Sequence, residues 1–133
     1  GLSIIPTRVV LAVHPRLGAS ARAAGLRLDA YGLDLVPPLD YPSLVLALTK
    51  AVGVVTDSGG LQKEAYVLGV PCTTLRTETE WTETLEDGWN MLDWDLTRLA
   101  DVAVRPAPTS PPRRPFGDGH ASEVVVATLS AHC

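Results

Sequence analysis

An α/β fold built on a parallel sheet is the expectation from this sequence. Three observations carry it: short β-branched apolar runs of strand length, helix-forming segments between them, and Gly or Pro punctuation at the junctions. Strand, helix and strand in alternation specify right-handed crossovers and hence parallel pairing, Rossmann-like in the broad sense, with flanking helices. Residues 8–13 (RVVLAV) form the first strand, ended by His14-Pro15. Residues 20–25 (SARAAG) read as a short helix with a serine N-cap and a closing glycine. A second strand, 33–36, stops at Pro37-Pro38. Residues 41–50 follow as a helix with Pro42 in its first turn, where a proline's missing N–H costs nothing. The third strand, 52–56 (VGVVT), is apolar throughout, as strands covered on both faces are. Asp57-Ser58-Gly59-Gly60 then opens a helix that runs to about Leu68 and ends at Gly69. Residues 71–75 make a fourth strand, 78–86 a helix closed by Asp87-Gly88, and 90–92 a last strand.

Three regions result. Residues 1–104 are the Rossmann-like domain, 105–116 a proline-rich connector that excludes helix, and 117–133 a C-terminal helical tail. The tail helix, over 120–131, carries Val124, Val125, Thr128 and Leu129 along one side, a face suited to packing against another domain. The chain opens on Gly1 rather than Met, so it is expected to begin part-way through a longer polypeptide, its domain truncated at the N-terminus.

Composition narrows the chemistry. With 46% hydrophobic residues and 11 basic against 15 acidic side chains (net charge −4), the chain is neither disordered nor a bulk-charge nucleic-acid binder. No apolar run approaches the ~20 residues of a membrane span, and no secretory signal stands out. Cytoplasmic residence is the default expectation, with no nucleic-acid or membrane partner. Cys72 reads as a small buried hydrophobe and Cys133 as a frayed terminus, while His14, His120 and His132 share no ligand spacing with them. Neither a metal nor a cofactor is expected.

The informative segment is Ser58-Gly59-Gly60 between strand and helix. The first amides of a helix lack internal partners and carry the positive end of its dipole. Glycines let backbone approach an anion, and a serine hydroxyl adds a donor, so this turn suits a phosphate. Glu64, one turn beyond Gly60, is placed to accept from vicinal hydroxyls such as those of a ribose. The plainer alternative is a tight turn with a favourably charged first helical turn. Neither a P-loop nor Gly-x-Gly-x-x-Gly is present. After the next strand, Arg76 can pair with phosphate or simply with Glu78 or Glu80. Glu78 to Glu83 can be no more than a solvated helix start capped by Thr79, and Trp81 either lines a pocket or packs. His14, following the first strand, is a further candidate.

Thr56-Asp57-Ser58-Gly59-Gly60-Leu61-Gln62-Lys63-Glu64-Ala65, Leu68-Gly69-Val70-Pro71-Cys72 and Thr79-Glu80 closely resemble the non-hydrolysing UDP-N-acetylglucosamine 2-epimerase family. Val13-His14-Pro15, Pro37-Pro38-Leu39-Asp40-Tyr41 and Pro115-Phe116-Gly117-Asp118-Gly119-His120 extend the resemblance in the same order. It implies the C-terminal half of a GT-B fold, with a UDP-sugar in the cleft between two domains. It also implies a reaction in which UDP is eliminated to a glycal and re-added after C2 inversion. Carried across by position, Ser58, Gly59 and Gly60 hold the diphosphate and Glu64 the ribose, while the backbones at Leu39 and Leu44 contact the uracil. Two departures stand out. Trp81 occupies the place of the arginine in the family's Thr-Glu-Arg-Pro-Glu, a variant similar to a subgroup acting on modified UDP-sugars such as diacetamido-uronates. The family's acid–base carboxylates and Gly-His-Arg motif belong to an N-terminal domain, the partner this chain is expected to need. Full-length relatives often dimerise, so a homodimer is a further expected partner. Other readings are a GT-B glycosyltransferase donor domain, a hydrolysing epimerase, or a non-catalytic UDP-sugar-binding module.

Overall fold

A computed structural model describes residues 2–131. The order is β1 (Val10–Ala12), α1 (Pro15–Ala23), β2 (Asp34–Val36), α2 (Tyr41–Lys50), β3 (Val54–Thr56), α3 (Gly59–Val67), β4 (Cys72–Thr74), α4 (Glu83–Glu86), β5 (Asn90–Leu92), α5 (Leu99–Val102) and α6 (Ala121–Ala131). Single 3-10 turns lie at Leu2–Ile4 and Leu28–Tyr31. The α/β alternation and parallel pairing follow the sequence pattern, but the strands are three residues each and the described pairings make two sheets. β1 pairs with β2, and β3, β4 and β5 pair consecutively, with Val54, Cys72 and Asn90 aligned.

Side chains join what no ladder joins. Val54 and Val55 point to opposite faces of β3, as adjacent strand residues must. Val54 packs with Leu48, Ala65, Val70 and Cys72 between α2 and α3. Val55 belongs to the opposite cluster, where Ile5, Leu99 and Ala103 meet Val9 at the entry to β1. That double coverage accounts for the paired valines of β3, whereas Val52, ahead of the strand, is exposed. The second cluster requires Gly53: a Cβ there would overlap the carbonyl oxygen of Ala103. α5 escapes sequence reading because it is a four-residue turn whose N-cap, Arg98, makes no side-chain capping bond.

Other boundaries shift for local reasons. α1 starts at Pro15, ahead of the expected serine cap, because His14 Nδ1 accepts the Arg16 amide at 3.2 Å and so serves as N-cap. α2 keeps its expected bounds, with the Asp40 carboxylate capping Ser43 N–H at 2.9 Å. α4 is far shorter than 78–86, since Thr79 turns inward instead of capping a helix.

Residues 105–113, expected as part of a connector, are bonded to β4, α3 and the segment before β5. The Arg105 guanidinium donates to the carbonyls of Cys72, Val102 and Trp89 at 2.8–2.9 Å. Trp89 Nε1 donates to Ser110 O at 3.2 Å, and the Arg113 amide donates to the Tyr66 hydroxyl at 3.0 Å. α6 contrasts with this: Val124, Val125, Val126 and Leu129 are all more than half exposed. His132 and Cys133 lie outside the described residues. No helix among the described residues is long and apolar enough to cross a membrane.

Candidate functional site

β3 delivers the chain directly to the turn singled out above. The Ser58 amide donates to Thr56 Oγ1 at 3.0 Å, which sets the turn's direction. Ser58 is the N-cap of α3, with extended backbone and its Oγ accepting from the Leu61 amide at 3.5 Å. Gly59 and Gly60 are the first two helical residues, so their N–H groups have no carbonyl within the helix to bond and face outward at its positive end.

The two glycines differ in surroundings. A Cβ on Gly60 would meet nothing nearer than Ser58 Oγ at 3.9 Å, so the space above it is open. A Cβ on Gly59 would overlap the Glu80 carboxylate and lie 3.5 Å from Trp81 Nε1. The segment after β4 therefore leans over the start of α3. Arg76 Nη1 holds Glu80 from the outer side at 2.8 Å, the structural alternative named for it. Glu80 is held below the ordinary carboxylate range, chiefly by its own backbone N–H.

Helical spacing sorts the next turn. Gly60 and Glu64 share one strip of α3, Gly59 and Lys63 the adjacent one. Glu64 is half-buried, and its Oε2 is shut off from solvent with no hydrogen-bond donor among the described residues. Asp87 Oδ1 and Asp93 Oδ2 lack donors in the same way; what sets Glu64 apart is its place one helical turn beyond Gly60. Lys63 lies over two aromatic rings, its Nζ 4.7 Å from the centroid of Trp81 and 4.5 Å from that of Phe116. Those rings meet edge to face at 5.6 Å, and Phe116 also meets Tyr66 at 5.9 Å.

A buried polar network fixes this arrangement. Gln62, fully buried, accepts at Oε1 from Thr79 Oγ1 and from Asn90 Nδ2. Asn90 Nδ2 also donates to Thr84 Oγ1 at 3.1 Å, and Asn90 Oδ1 accepts from Thr74 Oγ1 at 2.8 Å. Thr79 Oγ1 accepts the Trp81 amide at 3.1 Å, and Thr84 Oγ1 donates to the Trp81 carbonyl at 2.7 Å. Trp81 is thus gripped by its backbone, while its indole Nε1 is buried without an acceptor among the described residues.

Sequence reasoning missed Gln62, Asn90, Lys63 and Phe116. The polar residues in otherwise apolar strands and the Gly59-to-Lys63 spacing were the available signals. The remaining candidates stand apart from the cradle in their bonding. His14 caps α1 and is exposed, with Nδ1 accepting the Arg16 amide. Leu39 is exposed in the loop after β2. The Leu44 amide is bonded to Asp40 O at 2.9 Å, and its side chain packs on the α2–α3 core.

Residues 3–130 match the family described as UDP-N-acetylglucosamine 2-epimerase. A UDP-N-acetylglucosamine 2-epimerase homolog of Methanococcus maripaludis is 38% identical over 92% of this chain and 36% of its own. A UDP-2,3-diacetamido-2,3-dideoxy-D-glucuronate 2-epimerase of Pseudomonas aeruginosa is 35% identical over 92% of this chain and 34% of its own. Among solved structures, the Methanocaldococcus jannaschii UDP-GlcNAc 2-epimerase in complex with UDP-GlcNAc and UDP superposes with a TM-score of 0.79. It is 29% identical over 94% of this chain and 36% of that one. The chain spans about a third of the length of these relatives. Its parallel α/β fold corresponds to one part of their GT-B architecture. By sequence and by fold, the chain belongs to the UDP-N-acetylglucosamine 2-epimerase family.

Proposed function

We propose that this chain is the nucleotide-binding portion of an enzyme that inverts C2 of a UDP-2-acetamido sugar. The observation that carries the reading is the pairing of two outward glycine amides at the start of α3 with a donor-free Glu64 oxygen one turn along. A diphosphate takes the amides of Gly59 and Gly60 and the Ser58 hydroxyl. The ribose hydroxyls donate to Glu64. Uracil lies against the loop at Leu39 and the first turn of α2, where Leu44 supplies contact surface, its N–H being already used. His14 stands at the start of α1 as a further contact. Arg76 exchanges Glu80 for phosphate, and Trp81 closes the cradle.

Elimination and re-addition of UDP require that the leaving diphosphate be held and its charge stabilised, which helix-end amides do without reorganisation. They also require a positioned base at C2 and an acid to return the proton. With Glu64 taken up by ribose, the proton-transferring groups come from a second domain outside these 133 residues. The proposal takes this UDP-sugar enzyme to be cytoplasmic and a homodimer.

Calorimetry with UDP tests the binding half: the chain binds UDP weakly and binds it better than ADP or inorganic phosphate. NMR of the chain mixed with UDP-N-acetylglucosamine tests the rest. The spectrum stays that of the starting sugar, and appearance of the manno epimer would refute the assignment of acid–base groups to another domain.

A further inference from the structure

We propose that Lys63 reads an acidic substituent on the hexose of the bound UDP-sugar, an inference that rests on the nucleotide site described above. The argument is one of direction. The start of α3 presents two adjacent strips, Gly60 with Glu64 and Gly59 with Lys63. A diphosphate lying across Gly59 and Gly60 sends its ribose toward Glu64, the carboxylate able to accept from hydroxyls. Its β-phosphate and hexose therefore emerge over the other strip, toward Lys63 and Trp81.

What waits there is a cation without an anion. Lys63 Nζ sits over the Trp81 and Phe116 rings, and no carboxylate among the described residues is within ion-pair distance of it. Four other basic side chains of the described residues are paired with carboxylates: Arg8, Arg27, Arg76 and Arg113. The aromatic floor fixes the ammonium in place and strips part of its water, which raises its attraction for an incoming charge. Trp81 Nε1, buried 3.5 Å from the Cβ position of Gly59 and lacking an acceptor, adds a neutral donor beside it.

UDP-glucose and UDP-glucuronate differ at C6 alone, hydroxymethyl against carboxylate, and are the matched probes. Titrated at low salt, the wild-type chain binds UDP-glucuronate about fivefold more tightly than UDP-glucose, the scale of one ion pair in a partly desolvated cleft. K63M, which keeps the apolar stem on the rings, abolishes that preference and leaves UDP affinity within about twofold. Equal weakening of UDP, UDP-glucose and UDP-glucuronate in K63M would put Lys63 on the β-phosphate and overturn the proposal. So would a wild-type chain that binds UDP but does not distinguish the two sugars. A wild-type chain that fails to bind UDP at all would overturn the nucleotide site, and this assignment with it.

Discussion

Gly53 and Gly59 are both places where a methyl group does not fit, yet replacing them has opposite consequences. At Gly53 the obstacle is the backbone carbonyl of Ala103, which cannot move without unpacking α5. G53A is expected to cost about 1–3 kcal/mol of stability, read as a lowered urea midpoint. At Gly59 the obstacle is the far end of the Glu80 side chain, which swings aside at little cost. G59A should therefore fold with near wild-type stability and lose UDP binding by about tenfold or more, because the methyl group occupies the phosphate's place. Glu64 gives the complementary case. Its sealed oxygen lacks a donor, so E64Q leaves the thermal midpoint unchanged or raised, while UDP affinity falls about tenfold with the loss of charge-assisted acceptance. Ser58, Gly59, Gly60 and Glu64 could be read from sequence because their chemistry is local: a strand end, a cap and one helical turn. Lys63 could not, since its meaning comes from Trp81 and Phe116, which are 18 and 53 positions away in the numbering.

The elements were readable where propensity and burial agree. α2 and β5 fall where apolar pattern and capping place them, and the two valines of β3 are covered on opposite faces. The segment 78–86 was not, because its helical composition is overridden by the Gln62–Thr79 bond and by Trp81 tucking over Gly59. This network is a tertiary decision that no window of sequence contains. N90A tests it: Asn90 joins Thr74, Thr84 and Gln62, and its loss strands their buried oxygens and hydroxyls together. The expected cost is about 2–3 kcal/mol by denaturant unfolding, accompanied by weakened UDP binding as Thr79–Trp81 drifts from the cradle.

Across the molecule, burial is uneven. β4 is wholly buried, no residue of β1 or β2 is, and α6 turns its valines to solvent. Stability is accordingly concentrated around β3, β4 and α3, and Cys72 at the centre of that region supplies a handle on it. Burial pushes its thiol from the ordinary 9.0 up to about 11. A group protonated more tightly when folded stabilises the fold fully below its unfolded value and loses that contribution as pH rises through the folded one. The melting temperature should therefore decline between about pH 9 and 11, and C72A should flatten part of that decline. Tyr66, raised first by burial and then by Asp87, adds to the slope with the same sign.

Amide-resolved NMR during a UDP titration is the most direct trial of the site. If the helix end grips a diphosphate, the Ser58, Gly59 and Gly60 resonances move first and furthest, those around Glu64 follow, and E64Q blunts the response. Shifts that leave residues 58–64 untouched while others move would mean that UDP binds elsewhere, and the nucleotide assignment for this turn would be wrong.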